Sequence, residues 1–328
     1  MATVLIIGGQ GVLGRITADA IRSRGDLTVL IGGRRAARRE DFRFIDLARP
    51  ETIAPALTGV DFAISTVADP QFELERVVVE TGARSINISS AVLPLGGHVS
   101  LRGRGLAIVH AGLAPLGLQA LIAKALVGRY PEAARLEVAM CFSVRGASGP
   151  QGREFAYAAL TRLPFEPSRE IAFSAPIGRR RCFCAALPER EILHALIPEG
   201  EAGVYVGFAE PAIHRTLAAL RATRLIRAVP RALFTGGAAR PAPAIATSEP
   251  MRQWVAVYDA TGRRLGATVT EGDGDYRSTA IVTRAFLDAA IERLKTRKPF
   301  GVQSAEKLFE LADVTAHLPV EVRVRDLA

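Results

Sequence analysis

Cysteine is scarce in this chain of 328 residues, and the three present, Cys141, Cys182 and Cys184, form no CxxC pair and have no histidine at metal-ligand spacing. A disulfide framework and a zinc site are therefore both excluded from expectation, no metal is assigned, and the thiols read as buried groups of a reducing compartment. Lysine is nearly missing too, with only Lys124, Lys295, Lys298 and Lys307 among 42 basic residues. None of the five tyrosines has a lysine four positions on, which removes the Tyr-x-x-x-Lys pair that short-chain dehydrogenases use for proton transfer. Long apolar runs are absent as well. The longest uncharged stretch, Gly105 to Ala123, carries His110, Pro115, Gln119 and three glycines, which suits a strand, a turn and a helix better than a membrane span. No basic flank precedes the apolar run Val4 to Ile7, so a secretory leader is not expected and a cytoplasmic location is.

What is present is basic and apolar. The net charge is +9, yet the arginines are scattered through both halves, as on a solvated surface, so nucleic acid is not an expected partner. Hydrophobic residues make up 49% of the chain, enough for a deep core, and the length favours two domains or one enlarged α/β unit. One segment departs from the scatter. A helix expected over Pro211 to Arg231 would carry Arg221, Arg224, Arg227 and Arg231 on roughly one face, which leaves a membrane surface or an acidic carrier open as contacts beside simple solvation.

The run TVLII at residues 3 to 7 is continuous and β-branched, as in a parallel strand covered on both faces. A helix over Gly11 to Ser23 and a second strand over Leu27 to Ile31 complete a βαβ unit. The alternation continues through strands at Phe42 to Ile45, Phe62 to Val67, Arg84 to Ile88 and Leu106 to His110, with helices at Pro50 to Leu57 and Gln71 to Thr81. Such a rhythm predicts an α/β chain opening on a Rossmann doubly wound parallel sheet over residues 1–117. After a helix at Leu116 to Gly128, strands at Arg135 to Val144, Gly203 to Ala209, Arg252 to Asp259 and Leu265 to Glu271 predict an α+β domain on a mixed or antiparallel sheet over 118–275. Residues 232–250 read as a mobile loop, and a final helix at Tyr276 to Lys295 is expected to bring the remainder, 276–328, back onto the first domain.

Chemistry enters at residues 8 to 14. Gly9-Gln10-Gly11-Val12-Leu13-Gly14 matches GxGxxG, preceded by Gly8, between a strand and a helix. One glycine allows the tight turn, one lets the backbone approach a pyrophosphate, and one lets helix and strand lie close, so that phosphates meet the free N–H groups at the helix start. About 20 residues on, where an acid would bind the ribose hydroxyls of NAD, the chain has Gly33, Arg34 and Arg35. Guanidinium groups fork onto phosphate, so the expected cofactor is NADP(H). Strand carboxyl ends nominate further cofactor contacts: Asp46 and Leu47 near adenine, Ser65, Thr66, Val67 and Ala68 beside ribose and nicotinamide, and Ser89 on the same wall. Arg145, Ser148 and Gly149, after the strand that begins at Arg135, are candidates to grip a substrate carboxylate. Tyr276, His110 or an ordered water is the proton donor under this reading.

The segments VLIIGGQGVLG at 4–14, IGGRR at 31–35, DFAISTV at 61–67 with Asp69-Pro70, GLAP at 112–115 and GDGDYRSTA at 272–280 together resemble the saccharopine dehydrogenase-like family of NAD(P)-dependent oxidoreductases. That resemblance implies a Rossmann domain, a substrate domain entered and left by the chain, a homodimer, and hydride transfer between nicotinamide and a carbon bonded to nitrogen. The chain departs from the family in having Pro115-Leu116 where Pro-Gly is frequent, and in lacking an acid in SINISS at 85–90. The expected function is an NADPH-dependent reductase of an imine, carbonyl or conjugated alkene in a small-molecule substrate. The rival is a non-catalytic NADP(H)-sensing regulator.

Overall fold

The computed structural model describes the chain except residues 36–38, 89–102, 114–115, 144–156, 158–159, 162–167, 186–188, 233–248, 297–298 and 328. Two compact units emerge. The first comprises Met1–Leu121 and Thr279–Leu318, the second Ile122–Ser278 and Pro319–Ala328.

The first unit is built on β1 (Ala2–Ile7), β2 (Leu27–Gly33), β3 (Phe42–Phe44), β4 (Phe62–Ser65), β5 (Arg84–Asn87) and β6 (Leu106–Val109). Val4 to Ile7 and all of β4 and β6 are buried, which is why these runs do not alternate polar and apolar residues. The six strands are parallel and ordered β3-β2-β1-β4-β5-β6, the arrangement of a dinucleotide-binding sheet. A seventh parallel strand, β13 (Gly301–Ser304), adds to β6. Helices α1 (Val12–Arg22), α2 (Ile53–Ala56) and α3 (Glu73–Thr81) supply the crossovers. Leu74, Val77, Val78 and Val79 of α3 pack with Leu5, Ile7, Ile53 and Ala63 in one apolar layer.

The second unit rests on a mixed sheet. Its strands are β7 (Arg135–Phe142), β8 (Arg169–Ala172), β9 (Arg179–Cys184), β10 (Glu201–Phe208), β11 (Pro250–Tyr258), β12 (Arg264–Asp273) and β14 (Arg323–Leu327). They are ordered β14-β12-β11-β7-β10-β9-β8, and only β7 and β10 run parallel. The β11–β12 hairpin turns through Gly262 in the left-handed region (φ 86°), while the Asp259 carboxylate accepts from the N–H groups of Thr261 and Arg263, both at 3.0 Å. The chain passes between units within α4 (Leu118–Arg129) and within the long helix α7 (Asp275–Thr296).

Three expectations are corrected. The helix α6 stops at Ala222 (Pro211–Ala222), because Arg224 takes a left-handed conformation (φ 60°) and a single 3-10 turn follows. No continuous arginine face therefore exists. Arg221 is 7% exposed and donates to the carbonyl oxygens of Cys184 at 2.7 Å and Leu160 at 3.4 Å, with its guanidinium 5.4 Å from the Phe183 ring. Secondly, the tail does not stay with the first unit: β14 pairs with β12, so Pro319–Ala328 belongs to the second. Thirdly, β8, β9, a helix α5 at Glu189–Leu196 and the edge strand β13 are present where the sequence pattern gave no element. Most of the expected loop 232–250 lies outside the described residues.

Candidate dinucleotide site

The glycine turn leaves β1 at its carboxyl end, and each glycine meets a different physical constraint. Gly8 has φ 80°, and a Cβ there would stand 2.4 Å from Val67 Cγ1. At Gly14 a Cβ would lie 2.2 Å from the Gly8 carbonyl oxygen, so only glycine lets the first turn of α1 close onto the loop. A Cβ at Gly9 would press on the Ile6 carbonyl oxygen at 2.9 Å and on Ile31. Gly11 is different. It is exposed, has φ −76°, and its Cβ would meet only the Gly8 carbonyl oxygen, at 3.2 Å. Its absent side chain thus keeps the outer surface of the loop bare.

The loop is tied inward by main-chain bonds from Gly8 N–H to Gly32 O (3.0 Å), Gly9 N–H to Ile6 O (3.1 Å) and Gly11 N–H to Gly8 O (2.8 Å). Gly11 caps α1 without a side-chain hydrogen bond, and the first turn holds no acid. The N–H groups of Val12, Leu13 and Gly14 consequently have no intrahelical acceptor and lie at the positive end of the helix. This cradle, left bare by the absent side chain of Gly11, fits the diphosphate of a dinucleotide.

Beside it, Gln10 links the turn to the loop after β2. Its Oε1 lies 2.7 Å from where a Gly33 Cβ would stand, and its Nε2 donates to the Arg35 carbonyl oxygen at 2.9 Å. Arg34 and Arg35 are exposed, and neither guanidinium has an acidic partner among the described residues. Both are available to an anion.

The remaining nominees divide. Asp46 shapes its own loop, its Oδ1 accepting from Ala48 N–H at 3.2 Å while Thr52 Oγ1 donates to its carbonyl oxygen at 3.0 Å; Leu47 beside it is half-buried. The Ser65 and Thr66 hydroxyls are buried and donate to main-chain carbonyl oxygens, of Val67 (3.1 Å) and Ile7 (2.9 Å) respectively. Val67 and Ala68 are the parts of that strand end that reach the surface. Ser89, Arg145, Ser148 and Gly149 lie outside the described residues.

His110 ends β6 on the same carboxyl edge of the first unit's sheet. It is 7% exposed and left-handed (φ 56°), a conformation uncommon for a residue with a side chain. Tyr276 is half-buried in the first turn of α7, in the second unit. The three cysteines are buried and form no disulfide, and burial pushes the Cys141 thiol up to about 12, which disfavours the thiolate that covalent aldehyde chemistry requires.

Sequence reading passed over a buried polar pair behind this wall. Glu75 of α3 accepts from Asn87 Nδ2 at 2.7 Å, and burial pushes its carboxyl up to about 7, with nearby Asp69 pushing the same way and the Asn87 bond opposing. Asp69 holds the start of α3, its carboxylate accepting from the N–H groups of Leu74 (2.9 Å) and Gln71 (3.3 Å). The available signal was a glutamate on the apolar face Leu74, Val78, Val79.

No family model and no curated protein sequence matches the chain. Solved structures do. Saccharopine dehydrogenase (L-Glu forming) from Saccharomyces cerevisiae aligns over 100% of both chains with a TM-score of 0.59 at 11% identity. DAP dehydrogenase from C. glutamicum, solved with DAP, aligns over 98% of this chain and 96% of its own with a TM-score of 0.50 at 18% identity. The chain therefore shares a fold with these enzymes along its whole length.

Proposed function

We propose that the chain is an NADPH-dependent reductase that delivers hydride to an imine, carbonyl or conjugated alkene of a small-molecule substrate. The observation that carries this reading is the bare cradle over Gly8 to Gly14, bound through Gln10 to a loop that presents Arg34 and Arg35. Val12, Leu13 and Gly14 would hold the diphosphate, and the two guanidiniums would hold the additional 2′-phosphate. A bound reduced nicotinamide supplies the hydride. The two whole-fold neighbours are named as dehydrogenases of saccharopine and DAP, which favours a carbon bonded to nitrogen as the acceptor.

The chain's own residues then have assigned tasks. Val67 and Ala68 border the nicotinamide end, and Ser65 and Thr66 fix that strand end through their internal bonds. His110 is the favoured proton donor because it stands on the edge where the glycine turn lies, with Tyr276 as the second candidate. Arg145, Ser148 and Gly149 are assigned to the substrate carboxylate. A homodimer in the cytoplasm is the assembly and location we assign.

The test is a titration of the purified chain with NADPH and NADH, followed by loss of reduced-nicotinamide absorbance over a panel of imines, ketones and enoates. Arg34→Ala/Arg35→Ala is expected to lower the preference for NADPH by roughly tenfold or more, as losing charge-assisted phosphate bonds requires. An unchanged affinity ratio would refute the cofactor assignment. Tight NADPH binding with no turnover on the panel would replace the reductase with a sensor.

A further inference from the structure

The first unit has a second concavity, on the opposite edge of its sheet. A cavity of about 380 Å³ is lined by Gly82, Arg84, Arg104, Leu106, Leu294 and Phe300, among others. Arg84 begins β5, Leu106 begins β6, and Phe300 immediately precedes β13, so the cavity opens at the amino ends of three neighbouring parallel strands. The glycine turn follows the carboxyl end of β1. A four-residue strand separates the two edges by about 13 Å at the least.

The cavity is built from specific close approaches. Arg104 stands between two glycines that press against α3: a Cβ at Gly103 would lie 2.4 Å from the Val79 carbonyl oxygen, and one at Gly105 only 1.9 Å from that of Val78. Gly105 also accepts from Gly301 N–H at 2.8 Å, which fixes the base of β13 against β6. The backbone at Gly103 and Gly105 therefore has little freedom, while the Arg104 side chain is exposed at the cavity. Arg84 is oriented by the Phe62 ring, 5.7 Å from its guanidinium carbon. Neither arginine has an acidic partner among the described residues, so two positive groups face one cavity without neutralisation. Phe300, 61% exposed, leaves a large aromatic ring in water at the rim.

We propose that this cavity is a binding site for a small aromatic carboxylate, remote from the dinucleotide cradle. The carboxylate pairs with Arg84 and Arg104, and the ring lies against Phe300, Leu294 and Leu106. The volume suits a ligand of one or two rings. Both arginines are exposed, so pairing with a carboxylate costs little desolvation and supplies planar, charge-assisted bonds.

Photolabelling of the full chain with 4-benzoylbenzoate, followed by peptide mapping, tests this. Label is expected in peptides bearing residues 103–106 or 294–300, unaffected by saturating NADPH, prevented by excess benzoate and not by the uncharged benzamide. Arg84→Ala/Arg104→Ala is expected to reduce labelling by roughly tenfold, as loss of charged hydrogen bonds implies. Phe300→Ala, at a position 61% exposed, is expected to weaken it too. Absence of label, label confined to other segments, protection by NADPH, equal protection by benzamide, or labelling undiminished in both variants would each overturn the proposal. Because labelling in the absence of cofactor requires neither turnover nor dinucleotide binding, its failure is separable from failure of the reductase reading.

Discussion

Gln10 Nε2 donates to the main-chain carbonyl oxygen of Arg35 at 2.9 Å, so the glycine turn and the arginine loop are one mechanical piece. The bond matters because the two loops would hold different phosphates of one ligand. In a complex with the proposed cofactor, the bond would restrain the spacing between diphosphate and 2′-phosphate, and less ordering entropy would oppose association.

Gln10→Ala is accordingly expected to weaken NADPH binding by about three- to tenfold, the range for one lost hydrogen bond. NADH, which has no 2′-phosphate, should be affected less. Fluorescence titration of both cofactors decides the matter: an equal loss for the two would mean that Gln10 acts on the turn alone.

The glycines predict opposite outcomes at two positions. Gly14→Ala puts a Cβ 2.2 Å from the Gly8 carbonyl oxygen and should cost roughly 1–3 kcal/mol of stability, the usual range for overpacking. Gly11→Ala has an ordinary φ of −76° and one tight neighbour at 3.2 Å, so its stability should change by no more than about 0.5 kcal/mol. NADPH affinity should nevertheless fall by at least about tenfold, because the methyl group stands on the face that receives the diphosphate. Urea denaturation and calorimetric titration separate the two effects. A Gly11→Ala protein with normal affinity would place the diphosphate elsewhere.

Legibility in the sequence followed burial. The runs Val4 to Ile7 and Leu106 to Val109 are buried in the sheet, so composition alone marked them as central strands. The edge strands β8 and β3 are partly exposed and carry charge, as Arg169-Glu170 and Arg43 show, and only β3 had a βαβ rhythm to reveal it. β13 is four residues whose partner, β6, lies nearly 200 residues earlier; no local pattern specifies such a pairing. The turn at Gly8 to Gly14 was readable because geometry demands glycine at Gly8, Gly9 and Gly14. Ser65 and Thr66 stand at the carboxyl end of β4, yet sequence could not say that their hydroxyls are spent on Val67 and Ile7. Arg221 shows the converse: a charge that reads as solvent-facing is consumed by two carbonyl groups.

The two candidate proton donors can be told apart. His110→Asn suits a left-handed position, which asparagine tolerates, so the variant should fold. It is expected to lower kcat by about 100-fold, within the range for loss of a general acid, with NADPH affinity unchanged. Tyr276→Phe should lower kcat by less than about tenfold. The reverse ranking, measured on whichever substrate the panel identifies, would transfer the role to Tyr276.

The Glu75 carboxyl gives the fold a pH signature. In the unfolded chain it has its ordinary value of 4.5, and burial raises it to about 7 in the native state. Between those values the native protein holds a proton that the unfolded chain has released. Stability from this group is therefore complete below 4.5, falls as pH rises toward 7, and is constant above that. The span is worth up to about 3 kcal/mol, at roughly 1.4 kcal/mol for each unit. Glu75→Gln keeps an oxygen to accept the 2.7 Å bond from Asn87 Nδ2 and removes the titration. It should match the parent chain at pH 5 and exceed it in stability at pH 8, by urea denaturation at each pH. Equal pH dependence in the two proteins would mean that Glu75 is already ionised in the fold, with its charge carried by groups other than Asn87.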